Sequence, residues 1–184
     1  MRTALIGAGS IGTILGALLS KGEENVVLVD SYQAHVDALN QKGAKIVGFM
    51  DCTIPVKAIT PDEMDGKYDQ IISTTKLNAL EASLNHVSQF THGDTVVLTL
   101  QNGIPEDISK KIFKADNVMG GGVEFAATWR KPGVSELTSG KSSLMITFGR
   151  LDGQITQKTK EIENVFSKFG RSEISTNILG YLPL

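Results

Sequence analysis

Three glycines near the amino terminus constrain this chain more than anything that follows them. The run Ala4-Leu5-Ile6-Gly7-Ala8-Gly9-Ser10-Ile11-Gly12 spaces them as G-x-G-x-x-G. The motif lies between a strand-like apolar run, Met1 to Ile6, and a helical period from Ser10 to Lys21. Gly7 permits a tight turn, Gly9 removes the Cβ that would strike an approaching phosphate, and Gly12 lets helix and strand pack closely. A backbone of this shape turns free helix N–H groups toward an anion. A second strand, Val26 to Val29, ends on Asp30, which lies 30 − 12 = 18 positions past the third glycine. An acid at that spacing is placed to accept hydrogen bonds from an adenosine ribose. The competing reading is that the glycines serve close packing alone.

At 184 residues, with 41% hydrophobic and 21% charged side chains, the chain can bury a substantial core. It fits one large domain or one domain plus a fragment. A net charge of −2 without a basic block predicts neither a nucleic acid nor an anionic membrane as partner. The single cysteine, Cys52, excludes an internal disulfide and suits a reducing compartment; it reads as a packed apolar residue. Arg2 followed by Ala4 to Leu19 has the hydropathy of a signal peptide. Gly7, Gly9, Gly12 and Gly16 interrupt that run, however, and no small-x-small cleavage site follows. The stretch is also too short and glycine-rich for a membrane span. The expectation is therefore no targeting segment and a cytoplasmic protein.

Strand-like runs alternate with helical periods, which predicts an α/β fold: a Rossmann-like, doubly wound, mainly parallel sheet with helices on both faces. Tyr32 to Gln41 reads as a helix that Gly43 ends. Ala44 to Phe49 and Thr53 to Ile59 read as two short strands in a hairpin-like excursion. Asp69 to Thr74 is a core strand, Asn78 to Phe90 a helix, Thr95 to Leu100 a strand and Asn117 to Met119 a short strand. The helix between the last two starts at Pro105, a residue suited to the first helical position. Gly121 to Trp129, Val134 to Thr138 and Ser143 to Phe148 then predict an antiparallel β meander appended to the parallel sheet. Ile155 to Phe169 is a long helix with Ile155, Ile162, Val165, Phe166 and Phe169 on its buried stripe, followed by a short strand or loop from Arg171 to Ser175. Residues 1–170 are expected to form a nucleotide-binding domain. Residues 171–184 read as a linker and the start of a helical segment, with Ile178, Leu179 and Leu182 as an exposed apolar patch suited to self-association.

Ligands of doubly wound sheets bind beyond the carboxyl ends of the strands. Two polar sequences fall there: Thr74-Thr75-Lys76-Leu77-Asn78 and Leu100-Gln101-Asn102-Gly103. Lys76 can hold a phosphate or carboxylate or polarise a carbonyl, and reads equally as an ordinary exposed lysine. Asn78 with Glu81 has the spacing of a capping box. Asn102 can pair with a ribose or a substrate, although Asn-Gly is also a favoured turn. Glu106 and Asp107 complement the positive end of the Pro105 helix. His35, His86 and His92 lack metal or nucleophile spacing and read as surface or cap residues, and Glu124 and Trp129 read as structural.

Taken in order, Gly7 to Gly12, Thr75-Lys76-x-Asn78, Gln101-Asn102-Gly103 and the Gly120-Gly121-Gly122 to Gly149 region resemble the ketopantoate reductase (2-dehydropantoate 2-reductase) family. The resemblance covers essentially the whole chain and corresponds to that family's amino-terminal, cofactor-binding half. It implies hydride transfer from a nicotinamide to the ketone of a branched 2-keto acid, giving (R)-pantoate for coenzyme A synthesis. It also implies that Lys76 and Asn102 are catalytic, lying in the cleft against cofactor and substrate. Gly7, Ala8, Gly9, Ser10, Ile11, Gly12, Asp30, Thr75, Lys76 and Asn102 would bind the cofactor. The family's proton-donating lysine lies on a carboxy-terminal helical domain, and Pro183 departs from the usual residue near its start. Members that favour NADPH usually carry a basic residue after the second strand. Here Asp30-Ser31-Tyr32 stands there instead, with no Arg or Lys until Lys42, which predicts NAD(H) with NADP(H) as the alternative. Other readings are a non-catalytic nucleotide-binding module, half of a split enzyme, or a related dehydrogenase of another keto acid or an opine. No metal site is expected.

Overall fold

A computed structural model describes residues 1–22, 25–103 and 105–181. The first strand, β1 (Arg2–Ile6), is an interior strand of an eight-stranded sheet. Its side chains alternate: Leu5 faces one layer, Ala4 and Ile6 the other, and all are buried. The neighbouring strands β2 (Asn25–Val29) and β6 (Tyr68–Ser73) run parallel to it on either side. Beyond β6 lie β7 (Thr91–Thr99), β8 (Val118–Val123), β11 (Met145–Arg150) and β12 (Arg171–Ile174), and beyond β2 lies β5 (Lys57–Ile59). Only the β8–β11 pair is antiparallel in this sheet. The mainly parallel, doubly wound sheet expected from the alternating pattern is therefore present.

The region expected as one meander is antiparallel as predicted, but it is divided between two sheets. The β8–β11 pair closes the large sheet. Between these two strands, β9 (Ala127–Lys131) and β10 (Val134–Leu137) form a hairpin that joins β3 (Ala44–Gly48) and β4 (Cys52–Ile54) in a separate four-stranded sheet, with β10 parallel to β3. Thr53 to Ile59 likewise divides at Pro55, which has no N–H for a ladder. Its first part pairs with β3, and its last part becomes β5 beside β2.

The small sheet covers the helix that follows the glycine loop, α1 (Ser10–Lys21). Being enclosed by both sheets, α1 is buried continuously from Gly12 to Leu19, as a helix apolar all round must be. Alongside lies α2 (Gln33–Lys42), ended by Gly43 at φ 74°. The opposite face of the large sheet is covered by α3 (Leu77–Ser88), through Leu80, Leu84 and Val87, and by α4 (Pro105–Ile112). Further along, α5 (Gln157–Phe166) packs Ile162, Val165 and Phe166 into the first layer. Its start is fixed by Thr156, whose hydroxyl accepts from Thr159 N–H, so Ile155 falls outside the helix and is half exposed, contrary to its expected place on the buried stripe. The short α6 (Ile178–Tyr181) buries Ile178 and leaves Leu179 and Tyr181 partly exposed. The expected apolar patch thus loses Ile178, while Leu182 lies outside the described residues. Among the described residues no helix is long and apolar enough to cross a membrane.

Candidate functional site

The chain leaves β1 for β2 on one side and later returns to β6 on the other, which opens a crevice at the carboxyl ends of β1 and β6. The glycine loop forms one wall of that crevice. Gly7 takes φ 91°, and a Cβ there would stand 2.9 Å from the Thr75 backbone nitrogen. A Cβ on Gly12 would stand 2.1 Å from the Gly7 carbonyl oxygen. Gly9 is different: a Cβ there would meet nothing within 4 Å. Internal packing thus requires two of the glycines, and the third faces open space.

The loop's carbonyls are occupied from inside the protein. Thr74 Oγ1 donates to the Gly7 oxygen at 2.6 Å, Thr13 Oγ1 to the Ala8 oxygen at 2.7 Å and Thr13 N–H to the Gly9 oxygen at 2.9 Å. The N–H groups of Gly9, Ser10 and Ile11 find no acceptor among the described residues. Helix α1 begins without a side-chain cap or an acid in its first turn. A cluster of outward N–H donors at a helix start, with no internal anion to satisfy it, is what a diphosphate fits. Ala8 itself is fully buried and its oxygen is held from inside, so unlike the other expected contacts it presents no surface to the crevice.

Asp30 lines the same lobe of the crevice, a hollow of about 410 Å3 that it shares with Gly9, Pro61, Lys76 and Asn78. Its Oδ1 accepts Tyr32 N–H at 2.9 Å, which fixes the carboxylate and leaves Oδ2 for a ligand. Across the crevice Lys76 is exposed, its ammonium without an ion-pair partner among the described residues. Lys76, rather than Asn78, holds the cap position of α3, and no side chain caps that helix. The expected capping box of Asn78 and Glu81 is therefore not formed. Helix α3 starts one residue early, and Asn78 lies within its first turn, on the rim of the hollow.

A second lobe of about 460 Å3 shares Thr74, Thr75 and Lys76 with the first and extends to Ile11, Gln101, Asn102, Val123 and Phe125. Asn102 is exposed at its edge, beyond β7. Gln101 belongs to the second polar motif without being an expected site residue, yet it organises this lobe. It is 8% exposed, and its Nε2 donates to Ser73 Oγ at 2.6 Å and to Thr75 Oγ1 at 3.1 Å. Its Oε1 has no partner among the described residues. That oxygen is itself buried, so the amide's visible role is to tie the ends of β6 and β7 together through Ser73 and Thr75. The signal for it in the sequence was a polar residue ending an apolar strand.

Two further expectations are corrected. Glu106 does not simply complement a helix end: it is 1% exposed, its Oε1 accepts from Thr99 Oγ1 at 3.0 Å, and burial pushes its carboxyl above the ordinary value. His35 is neither a surface nor a cap residue; at 1% exposure it lies behind the glycine loop. His86 contacts the Pro61 carbonyl oxygen and His92 pairs with Asp69; neither ring lines the crevice. A third hollow, of about 470 Å3 beside Asp69, His92 and Lys158, lies at the amino ends of the strands, opposite to where such sheets bind ligands. Glu124 accepts from Tyr181 Oη at 2.8 Å.

A family model described as ketopantoate reductase PanE/ApbA matches residues 3–153. The 2-dehydropantoate 2-reductase of Pyrococcus horikoshii is 32% identical over 98% of this chain and 58% of its own length. That of Pyrococcus abyssi is 35% identical over 97% of this chain and 56% of its own. Among solved structures, a 2-dehydropantoate 2-reductase from Geobacter metallireducens superposes with a TM-score of 0.83 at 26% identity, over 96% of this chain and 58% of that one. A ternary structure of D-mandelate dehydrogenase with NADH and anilino(oxo)acetate superposes with a TM-score of 0.87 at 26% identity, over 97% and 58%. The chain spans rather more than half the length of each of these proteins.

Proposed function

This chain belongs to the ketopantoate reductase PanE/ApbA family, and from that premise we propose that its crevice binds a nicotinamide dinucleotide and presents it to the ketone of a small 2-keto acid. One observation carries the reading: a glycine loop with unpaired outward N–H groups opens on the same crevice as Asp30 at one end and Lys76 and Asn102 at the other. The diphosphate would lie on the Gly9–Ile11 N–H groups and the adenosine ribose on Asp30. The nicotinamide half would reach past Thr75 to Asn102, and when bound it supplies the hydride. Lys76 would hold an anionic group, a phosphate or the substrate carboxylate. Asn102, exposed at the edge of the second lobe, would orient ribose or substrate.

Asp30 sets the cofactor preference. Its free Oδ2 accepts a ribose 2′-hydroxyl, whereas a 2′-phosphate would meet a like charge at a cost of about several kcal/mol. NADH is therefore expected to bind at least roughly tenfold more tightly than NADPH. Fluorescence titration of both cofactors tests this. Tighter NADPH binding would refute the role of Asp30, and no binding of either would refute the dinucleotide reading. Lys76 is the only titratable group among the described residues lining the second lobe. Absence of a general acid typically costs about 10²–10⁴ in rate. Slow reduction of 2-keto acids by this 184-residue chain is thus expected, and robust turnover would assign Lys76 the proton as well.

The superposition with D-mandelate dehydrogenase favours a second reading, a dehydrogenase of a different 2-keto acid. Ile11, Val123 and Phe125 give the second lobe an apolar side that accepts a branched alkyl or an aryl group. Comparing NADH oxidation with ketopantoate and with phenylglyoxylate separates the two readings.

A further inference from the structure

His35 lies outside the crevice, yet it is tied to the loop that forms its wall. Its Nδ1 accepts the Gly133 N–H at 2.9 Å, and its Nε2 lies 2.7 Å from the Ala8 carbonyl oxygen and 3.2 Å from Thr13 Oγ1. A backbone N–H can only donate, so Nδ1 carries no proton, and Nε2 is the N–H that donates to Ala8. The imidazole is therefore a neutral Nε2–H tautomer with both nitrogens engaged. Gly133 belongs to the turn between β9 and β10, and Ala8 is the middle residue of the glycine loop. One ring thus bridges the small sheet to the loop.

The Ala8 oxygen and the Gly9 N–H belong to a single planar trans peptide and point in opposite directions. Whatever holds the oxygen inward aims the N–H outward. Two buried donors hold that oxygen, Thr13 Oγ1 and His35 Nε2, while the far side of Gly9 is open. We propose that His35, acting with Thr13, is a positioning residue for diphosphate binding: it locks the Ala8–Gly9 peptide so that the Gly9 N–H faces the crevice. This rests on the reading that the crevice takes a dinucleotide.

The two nitrogens can be tested separately. Gln at position 35 can place an amide N–H near Nε2 and keep the bond to Ala8 while losing the acceptor for Gly133. Asn can keep the acceptor and lose the donor. Both variants break one buried bond, so a merely structural His35 would be damaged alike by each. The probes are ADP and AMP, by calorimetry, with melting temperatures alongside. His35→Asn is expected to weaken ADP binding by roughly three- to tenfold, with a smaller loss for AMP, and His35→Gln to stay within about threefold of the parent. The ¹⁵N spectrum of labelled histidine should show the Nε2–H tautomer in the ligand-free chain and a shift when ADP binds. Equal losses in both variants, no loss in either, or an Nδ1–H tautomer would overturn the proposal. Should both variants fail to fold, Thr13→Val removes the companion donor, and the same selective loss for ADP is required of it. Parent protein that binds no ADP would overturn the dinucleotide reading itself, an outcome distinct from parent binding with indifferent variants.

Discussion

Gly9 and Gly12 are both glycines of one motif, and the geometry demands opposite consequences from replacing them with alanine. A Cβ on Gly12 would stand 2.1 Å from the Gly7 oxygen, where ordinary contact begins at 3.4 Å, so backbone must yield by 3.4 − 2.1 = 1.3 Å. Thr74 Oγ1 at 2.7 Å and Leu5 Cδ2 at 3.0 Å close off the other directions. Overpacking of this kind costs about 1–3 kcal/mol, or a melting temperature lower by about 2–12 °C for a domain of this size. At Gly9 the added methyl meets nothing, and φ is −64°. Alanine loses about 0.5–1 kcal/mol as a helix cap and regains about 0.4–1 kcal/mol from a less flexible unfolded chain. Gly9→Ala should therefore melt within about 3 °C of the parent. Its methyl, however, occupies the approach to the outward N–H groups. Losing one hydrogen bond to a charged group costs about 1.5–3 kcal/mol, or roughly 10- to 150-fold in NADH affinity. Calorimetric titration with NADH and thermal melts of both variants provide the test. A Gly9→Ala protein that binds NADH as the parent does would refute the assignment of this loop, and one that melts as low as Gly12→Ala would refute the reading of open space.

Lys76→Ala should leave the melting temperature unchanged, since the side chain is exposed and unpaired among the described residues. It should weaken NADH or 2-keto acid binding roughly two- to fivefold, with the effect shrinking as salt is added; unchanged affinity for both ligands would remove Lys76 from the site. Glu106 titrates with the opposite sign to a surface carboxylate. Burial raises its folded value above the unfolded one, so its contribution to stability is complete below the unfolded value, about 4.3, and is lost as pH rises through the folded value. Glu106→Gln should gain on the parent in melting temperature as pH rises above the unfolded value of about 4.3, and a gap that stays constant would refute the burial argument.

The glycine-loop end of the crevice was legible because packing demands Gly7 and Gly12 while Gly9 leaves open space. Gly7, Gly9 and Gly12 act within one strand–turn–helix, and the helix bounds Ser10–Lys21 match the reading from sequence. Long-range pairing was not legible. The strands of the expected meander exist, but β10 lies parallel to β3, roughly ninety residues away in the chain. An alternating pattern shows that a strand has a buried face without showing which sheet will bury it. Asn78 and Glu81 failed for a related reason: a capping box is one local preference, and Lys76-Leu77 begins the helix a residue earlier.

His35 shows where such reading stops and what would extend it. With Val36 and Leu39 it is buried on α2, and Leu39, four residues on, lies on the same side of the helix. That spacing marks the ring as buried, and a buried imidazole needs partners for both nitrogens. The partners stand 27 and 98 positions away along the chain, so only folding reveals that they are the glycine loop and the turn of the small sheet. The Ala8–Gly9 peptide is therefore held by contacts from α2 and Thr13 as well as shaped by the G-x-G-x-x-G spacing. A chain that kept the three glycines but lost the β9–β10 hairpin would keep the motif and lose the bond from Gly133 that sets the tautomer. The three glycines thus shape the loop, and the β9–β10 turn, through His35, adds a bond that holds the Ala8 carbonyl inward.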